Sequence, residues 1–182
     1  MSNYRRSKTP GGTYFFTVVT YNRHEILCKP QSRMALRNAI EEVRVLLPFH
    51  IDAWVLLPDH LHCIWTLPED DADFSKRWGM IKSKYTKNVG WAMPTNQKRS
   101  ISRIKHRDSD MWQRRFWEHQ ILDQEDFNRH CDYIHYNPVK HGLVNDPMKW
   151  NYSTIHRFIE KGLYSRDWSV SRIRDIISMD VE

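Results

Sequence analysis

Two histidines, His60 and His62, stand two residues apart in the apolar run WVLLPDHLHCIWTL, which covers residues 54–67. In a β-strand, residues i and i+2 project from the same face of the sheet, so both imidazoles are predicted to point the same way. Neutral imidazole is a common metal ligand. The pair therefore indicates a metal site, although two histidines held by ordinary hydrogen bonds beside a turn would have the same spacing.

Tyr133 is the second candidate for chemistry, within the helical segment DQEDFNRHCDYIHYN at residues 123–137. Three residues at helical spacing define the expected core stripe of this helix: Phe127, Cys131 and Ile134. At about 100° per residue, Tyr133 lies about 200° around the helix from Cys131 and is predicted to point away from that stripe. A tyrosine so placed could act as a nucleophile, although a half-exposed surface tyrosine fits the same pattern. Its predicted neighbours are Arg129, Tyr136, Asn137 and Lys140.

Asn137 follows Tyr133 by four residues and is expected one helical turn further along nearly the same face. Its amide oxygen could complete the metal site that His60 and His62 begin. Two imidazoles and one carbonyl oxygen could hold Mg²⁺ or Mn²⁺ and leave coordination positions open for phosphate oxygens. Pro138 leaves the direction of Asn137 open, because the residue before a proline is pushed out of helical geometry.

The chain is basic and has the length of one domain. Its 182 residues contain 28 Lys and Arg against 22 Asp and Glu, a formal net charge of +6. We expect one domain over residues 1–182, with a partly ordered tail from about residue 148. The positive charge favours a polyanionic partner without identifying it.

The cysteines and the hydropathy pattern indicate the compartment. The three cysteines, Cys28, Cys63 and Cys131, are far apart and have no CxxC spacing, which argues against a zinc ribbon and a disulfide framework. No apolar run approaches the length of a membrane span, and MSNYRRSKTPGG has no apolar export region. We therefore expect a soluble cytoplasmic protein.

The elements that must position the histidines and the tyrosine alternate along the chain. Their order is typical of a ferredoxin-like α+β sandwich, an antiparallel sheet with packed helices, here with an added C-terminal helix that carries the tyrosine. The basic residues between 94 and 110 predict a mobile loop. The predicted order is strand 13–21, helix 31–47, strands 50–57 and 60–67 joined at Pro58-Asp59, helix 74 to about 89, strand 116–121, and a helix capped by Asp123 that runs to about residue 136.

Three motifs in this order carry a family resemblance: HLH within WVLLPDHLHCIWTLP, then WQRRFWEHQI, then DYIHYNPVKHGLV. Together they resemble the REP-associated tyrosine transposases, relatives of the single-tyrosine HUH transposases of small insertion sequences. The likeness extends from YRRSKTPGGTYFFTV to GLYSRDW, nearly the whole chain. It implies a ferredoxin-like HUH endonuclease fold that cuts single-stranded DNA beside a hairpin of the repetitive extragenic palindrome (REP) type.

The resemblance also implies roles for individual residues. His60 and His62 match the HUH metal pair for Mg²⁺ or Mn²⁺, and Asn137 stands where relatives place a third, amide-type ligand. Tyr133 matches the nucleophile, with Tyr136 as the competitor by proximity. The long basic segment before WQRRFWEH departs from the family pattern.

The implied reaction is DNA transposition through a covalent link. Attack by Tyr133 would give a 5′-phosphotyrosine and a free 3′-OH, and a second 3′-OH could reverse the step without ATP, consistent with the absence of a GxxxxGK loop. The protein would act at the nucleoid as a monomer or homodimer, and His119 could line the site. The candidate DNA contacts are Tyr4, Arg5, Arg6, Lys82, Lys84, Arg114 and Arg115.

Two other interpretations remain open on the residues alone. A non-catalytic nucleic-acid-binding module would use the sheet and its aromatic side chains as an RRM does, but the RRM aromatic signature is missing. A zinc hydrolase would add His135 or His141 to His60 and His62, but no HExxH spacing supports it.

Overall fold

The computed structural model describes residues 8–89, 111–165 and 168. Its strands form one four-stranded sheet in the order β2-β3-β1-β4, and every neighbouring pair is antiparallel. This order confirms the predicted ferredoxin-like α+β fold. The strands are β1 (Thr13–Val19), β2 (His50–Leu56), β3 (His60–Thr66) and β4 (Trp117–Gln120), and the helices are α1 (Pro30–Leu46), α2 (Phe74–Val89), α3 (Gln124–Lys140) and α4 (Ile155–Glu160).

One face of the sheet packs against α1 and α2. The central strands β1 and β3 are rich in β-branched and aromatic residues, which suit a pleated surface buried on both faces. Leu61, Cys63 and Trp65 of β3, and Leu67 just after it, enter this core, as the sequence pattern predicts. Trp65 stacks on Trp78 of α2 with ring centroids 4.2 Å apart. This aromatic and apolar layer packs one face of the sheet against the two helices.

The opposite face of the sheet packs against α3. Phe15 and Ile64 from the sheet meet Cys131, Tyr133 and Ile134 from the helix in a second, smaller core. Because successive residues of a strand point to opposite faces, His60 and His62 lie on this side with Ile64. The predicted metal pair therefore faces the helix that carries the tyrosine.

The ends of α3 explain its extra length relative to the prediction. Asp123 caps its N-terminus, as predicted, by accepting a hydrogen bond from the backbone N–H of Asp126 at 2.8 Å. The predicted end near residue 136 was wrong, because the helix continues through Pro138 to Lys140. Asn137 keeps helical geometry despite the proline that follows, and its carbonyl accepts from the N–H of His141 at 3.0 Å.

Other predicted boundaries need small corrections. β1 ends at Val19, not at residue 21, because residues 21–23 form a short 3-10 turn in which Asn22 and Arg23 have positive φ. The predicted basic loop at 94–110 lies outside the described residues. In the part of the chain that the structure describes, no helix is long and apolar enough to cross a membrane.

Candidate active site

His60 and His62 are buried in β3 and are each held through one ring nitrogen. Nδ1 of His60 lies 2.6 Å from Oδ1 of Asp59, and Nδ1 of His62 lies 2.8 Å from Oγ1 of Thr17. The other ring nitrogen, Nε2, is buried in both residues and has no hydrogen-bond partner among the described residues. The two oriented imidazoles lie with ring centroids 4.9 Å apart, each with a buried Nε2.

Asp59 orients the His60 ring through a hydrogen bond at Nδ1. Partial burial raises the pKa of Asp59, but its hydrogen bond and charge interaction with His60, together with the pairing to Arg23, lower that pKa to about 2. The Arg23 guanidinium lies 3.1 Å from the carboxylate. A charged Asp59 accepts from the Nδ1–H of His60, so the ring is oriented with Nε2 directed away from the carboxylate. Carboxylate partners of this kind are common behind metal-binding histidines.

The surroundings of His62 keep its imidazole neutral. Burial is the main reason that its pKa lies well below the usual value, and the charges of His60, His141, Lys140 and Arg23 lower it further. A neutral imidazole has a lone pair to donate to a metal, whereas an imidazolium has none.

Tyr133 lies on the side of α3 that faces the sheet, and it is fully buried. Its ring centroid is 5.2 Å from that of His62 and 5.9 Å from that of Phe15. Nζ of Lys140 donates to the Tyr133 hydroxyl at 3.3 Å. The idea of a half-exposed surface tyrosine was wrong, because Tyr133 shares the buried layer of Cys131 and Ile134.

Helix α3 is covered by protein on a second side as well as by the sheet. The sheet covers one side, and on the other side the Tyr164 hydroxyl donates to Oδ1 of Asp132 at 2.6 Å. Nε2 and Nδ1 of His135 contact the hydroxyls of Thr154 and Tyr164 at 2.9 and 3.1 Å. Burial lowers the pKa of His135 to about 3. Both nitrogens of His135 are therefore occupied, which argues against it as a zinc ligand beside His60.

Asn137 lies between two contacts of α3 with the histidines. Four residues before it, Tyr133 packs on His62, and four residues after it, the His141 ring lies 4.9 Å from the His60 ring. Residues at this spacing share one helix face. Asn137 is fully buried, and neither atom of its amide has a hydrogen-bond partner among the described residues. Asn137 therefore lies on the helix face that meets the two histidines, with its amide buried there.

We call His60, His62 and Asn137 the paired-histidine site. A buried polar atom without a partner costs about 1–3 kcal/mol, and such groups are uncommon in folded proteins. A divalent cation would satisfy the two imidazole nitrogens and the amide oxygen together, and this set of nitrogen and oxygen donors is one that Mn²⁺ and Mg²⁺ accept. The residues present therefore fit a metal ion.

A second group of possible metal ligands lies on the same face of the sheet. We call His119 of β4 with Asp126 and His130 of α3 the carboxylate cluster, since their ligand atoms all lie within 4.8 Å of one another. Oδ2 of Asp126 is 2.8 Å from Nε2 of His119 and accepts from the N–H of Leu122 at 3.0 Å. Oδ1 of Asp126 is 3.1 Å from Nδ1 of His130. These atoms already satisfy one another.

Sequence reasoning missed the carboxylate cluster as a group. His119 was expected only to line the site, and Asp126 and His130 were not singled out. The available signal was helical spacing, because Asp126, His130, Tyr133 and Asn137 stand at i, i+4, i+7 and i+11. This polar stripe of α3 faces the sheet and runs from the carboxylate cluster to the paired-histidine site.

The candidate DNA contacts fall into three groups. Tyr4, Arg5 and Arg6 lie outside the described residues, and Arg114 and Arg115 are exposed just before β4. The two lysines of α2 make contacts within the protein. Nζ of Lys82 donates to the carbonyl of Gln113 at 3.0 Å, and Nζ of Lys84 donates to Glu42 at 2.5 Å. Contact between any of these residues and DNA stays a prediction, as does the role of Tyr136, which is half-buried at the edge of the second core.

Comparison with known proteins finds a matching family model, similar relatives and a similar solved structure. Residues 9–137 match the family model described as "Transposase IS200 like". A REP-associated tyrosine transposase of Escherichia coli (strain K12) is 47% identical over 169 residues, which cover 93% of this chain and 92% of that protein. A relative from Haemophilus influenzae is 40% identical over 168 residues, 92% of this chain and 93% of its own length. A solved REP-associated tyrosine transposase bound to a REP hairpin superposes with a TM-score of 0.81 at 43% identity, covering 100% of this chain and 96% of the other.

Proposed function

Because the chain belongs to the IS200-like transposase family, and within it to the REP-associated tyrosine transposases, we propose that it cleaves and rejoins single-stranded DNA beside a REP-type hairpin. It is a DNA-processing enzyme of the transposase class. We propose Tyr133 as its nucleophile and the paired-histidine site as its metal site. The reaction would belong to one domain spanning residues 1–182, acting at the nucleoid.

The observation that carries this proposal is the group of buried atoms left without partners beside a buried tyrosine. Nε2 of His60, Nε2 of His62 and the Asn137 amide have no hydrogen-bond partner among the described residues, and the Tyr133 ring packs on His62 at 5.2 Å. A binding module with purely structural histidines gives no reason to leave these atoms unsatisfied. A metal-dependent enzyme does.

Bound Mg²⁺ or Mn²⁺ would polarise the scissile phosphate and stabilise the negative charge that develops on its oxygens. Asp59 and Thr17 hold the two imidazoles with Nε2 facing that position. Tyr133 is held beside that site by the packing of its ring on His62 and Phe15, which fixes its direction relative to the histidines.

The covalent step exchanges one ester bond for another. The Tyr133 oxygen bonds to phosphorus while the bond from phosphorus to the 3′ oxygen breaks, and the 3′ oxygen gains a proton in place of the one lost by the tyrosine. The Lys140 ammonium, 3.3 Å from the Tyr133 hydroxyl, is placed to stabilise negative charge on the attacking oxygen. Because the phosphate ester is conserved, a 3′-OH from another strand can reverse the step without an energy source.

The test is covalent capture. A labelled hairpin oligonucleotide with single-stranded flanks is incubated with the protein in Mn²⁺ or in EDTA, and the products are separated on a denaturing gel. We expect an adduct that needs Mn²⁺ and is lost in Tyr133→Phe, whereas the matched control Tyr136→Phe keeps it. An adduct that survives Tyr133→Phe would move the nucleophile elsewhere. Hairpin binding without any adduct would favour the non-catalytic module.

A further inference from the structure

Trp117 is the one exposed Trp, Tyr or Phe among the described residues, with 41% of its surface accessible. Three other tryptophans, Trp65, Trp78 and Trp112, are at most 4% exposed. Trp117 begins β4, which forms one edge of the sheet. An indole left in water forgoes much of the stabilisation that its burial would give, so its position calls for an explanation.

The Trp117 ring is held in place by a column of near-parallel rings. It stacks on the His119 imidazole with centroids 6.0 Å apart and an interplanar angle of 11°, and His119 stacks on His130 at 4.7 Å and 14°. Asp126 holds both imidazoles: its carboxylate contacts Nε2 of His119 at 2.8 Å, and its backbone carbonyl contacts Nδ1 of His130 at 2.9 Å. The carboxylate cluster thus supports an exposed aromatic surface.

This surface lies next to the candidate active site. Trp117 is the cross-strand partner of Thr17, whose hydroxyl contacts Nδ1 of His62 at 2.8 Å. The Phe15 ring contacts both Trp117, at 5.6 Å, and Tyr133, at 5.9 Å. One ring therefore separates the exposed indole from the proposed nucleophile.

We propose that Trp117 stacks on one unpaired base of the DNA strand that leads to the scissile phosphate, with His119, His130 and Asp126 as its supporting residues. The inference rests on the proposed function. DNA that reaches Tyr133 is single-stranded there, and its bases expose aromatic faces that a rigid indole can cover. Arg114 and Arg115, exposed just before Trp117, add the positive charge that the neighbouring phosphates require.

The experiment measures DNA binding in EDTA, so that cleavage does not compete. Two oligonucleotides are the hairpin alone and the hairpin with its single-stranded flank. A further set of flanked hairpins carries one abasic site at each flank position in turn. The proteins are wild type, Trp117→Ala, Trp117→Phe and the control Leu122→Ala. The control removes another exposed apolar side chain, 77% accessible, shortly after β4.

We expect Trp117→Ala to bind the flanked hairpin about 5- to 100-fold more weakly than wild type, and the bare hairpin equally well. Trp117→Phe keeps a ring and should lose less, and Leu122→Ala should bind as wild type. One abasic position should weaken wild type by a similar factor and have no further effect in Trp117→Ala. That non-additivity would identify the stacked base.

Several outcomes would overturn the inference. These are equal binding of the flanked hairpin by Trp117→Ala and wild type, equal losses on flanked and bare hairpins, and no abasic position whose effect depends on Trp117. A dimer that Trp117→Ala converts to monomer in light scattering, without a flank-specific loss, would assign the indole to an interface between copies. Failure of the wild type to bind any hairpin would overturn the proposed function and this inference with it, whereas hairpin binding without an adduct would remove the catalytic proposal alone.

Discussion

The paired-histidine site and the carboxylate cluster lie at the two ends of one polar stripe on α3, and both combine two imidazoles with an oxygen-bearing side chain. In the carboxylate cluster, the Asp126 carboxylate pairs with Nε2 of His119 at 2.8 Å, and the Asp126 backbone carbonyl pairs with Nδ1 of His130 at 2.9 Å. In the paired-histidine site, the Nε2 atoms and the Asn137 amide have no partner among the described residues. Proximity of ligand types would select the carboxylate cluster as a metal site. The atoms left without hydrogen-bond partners favour the paired-histidine site instead.

The difference has a physical origin. A carboxylate is a strong acceptor, so it closes a network with two imidazoles and needs no cation. An amide is weaker and neutral, and both histidines beside Asn137 already use Nδ1 to bind Asp59 and Thr17. A closed network contributes stability, whereas an open one lowers the stability of the metal-free protein and is satisfied by a ligand.

Removing the imidazoles at one end or the other should separate the two clusters most strongly. We expect the double variant His60→Ala/His62→Ala to lose both Mn²⁺ binding, measured by calorimetry, and the Mn²⁺-dependent adduct. The matched variant His119→Ala/His130→Ala should bind Mn²⁺ with unchanged stoichiometry. Loss of Mn²⁺ binding in the second variant alone would make the carboxylate cluster the metal site.

Removing a hydrogen-bond partner of one histidine should have a smaller effect on Mn²⁺ binding. Thr17→Val keeps the shape of the side chain but removes the hydroxyl that contacts Nδ1 of His62. We expect Mn²⁺ affinity to fall about 10- to 100-fold, as is usual when a partner of a metal-binding histidine is lost. Thr13→Val is the control, because Thr13 is in the same strand and face but bonds to Thr66 instead. Equal affinities for the two variants would count against His62 as a ligand.

Stability in EDTA should respond in opposite directions at the two ends. Asp126→Asn weakens a closed network, and we expect it to lower the free energy of unfolding by about 1–3 kcal/mol. Asn137→Leu replaces an amide without partners by an apolar group of similar size, so the metal-free protein should be as stable as wild type or more stable. Urea unfolding measures both. Destabilisation by Asn137→Leu of the same size as by Asp126→Asn would mean that the amide has partners after all.

Acid should have the most gradual effect, and His135 on the outer side of α3 provides a reference that belongs to neither cluster. Burial lowers its pKa to about 3, so below the unfolded value of about 6.5 the unfolded chain binds a proton that the folded protein does not. The free energy of unfolding is therefore undiminished by His135 above pH 6.5, and it falls as the pH decreases toward 3, by at most about 1.4 kcal/mol per pH unit. His135→Asn should show a shallower decline in urea unfolding between pH 6.5 and 4. An unchanged slope would show that His135 takes up a proton while folded.

The sequence predicted much of this molecule where local patterns and local chemistry agree. The alternation in residues 60–67 placed His60 and His62 on the face opposite Leu61 and Trp65, and Asp123 was identified as the cap of α3. The strand and helix order predicted the sheet topology, because few folds accommodate that order. The positions of the elements therefore followed from residues close together in the chain.

Long-range packing limited the rest. Tyr133 was assigned to an open helix face, because nothing in residues 123–137 reveals that this face of α3 packs on Phe15 and His62 of the sheet. The carboxylate cluster joins a strand to a helix, so the helical spacing of Asp126 and His130 does not reveal that His119 completes it. Lys82 and Lys84 were predicted as DNA contacts from charge alone, and their bonds to Gln113 and Glu42 depend on residues about 30 and 40 positions away.

The continuation of α3 through Pro138 has a mechanical consequence. Tyr133 and Asn137 belong to one rigid rod, whereas His60 and His62 belong to the sheet, so the four groups move as two bodies. Widening the gap between rod and sheet would withdraw the tyrosine and the amide from the histidines together. The Tyr164–Asp132 and Thr154–His135 contacts act on the back of the rod. Thr154 and Tyr164 would thereby influence the distance between α3 and the two histidines without contacting His60 or His62.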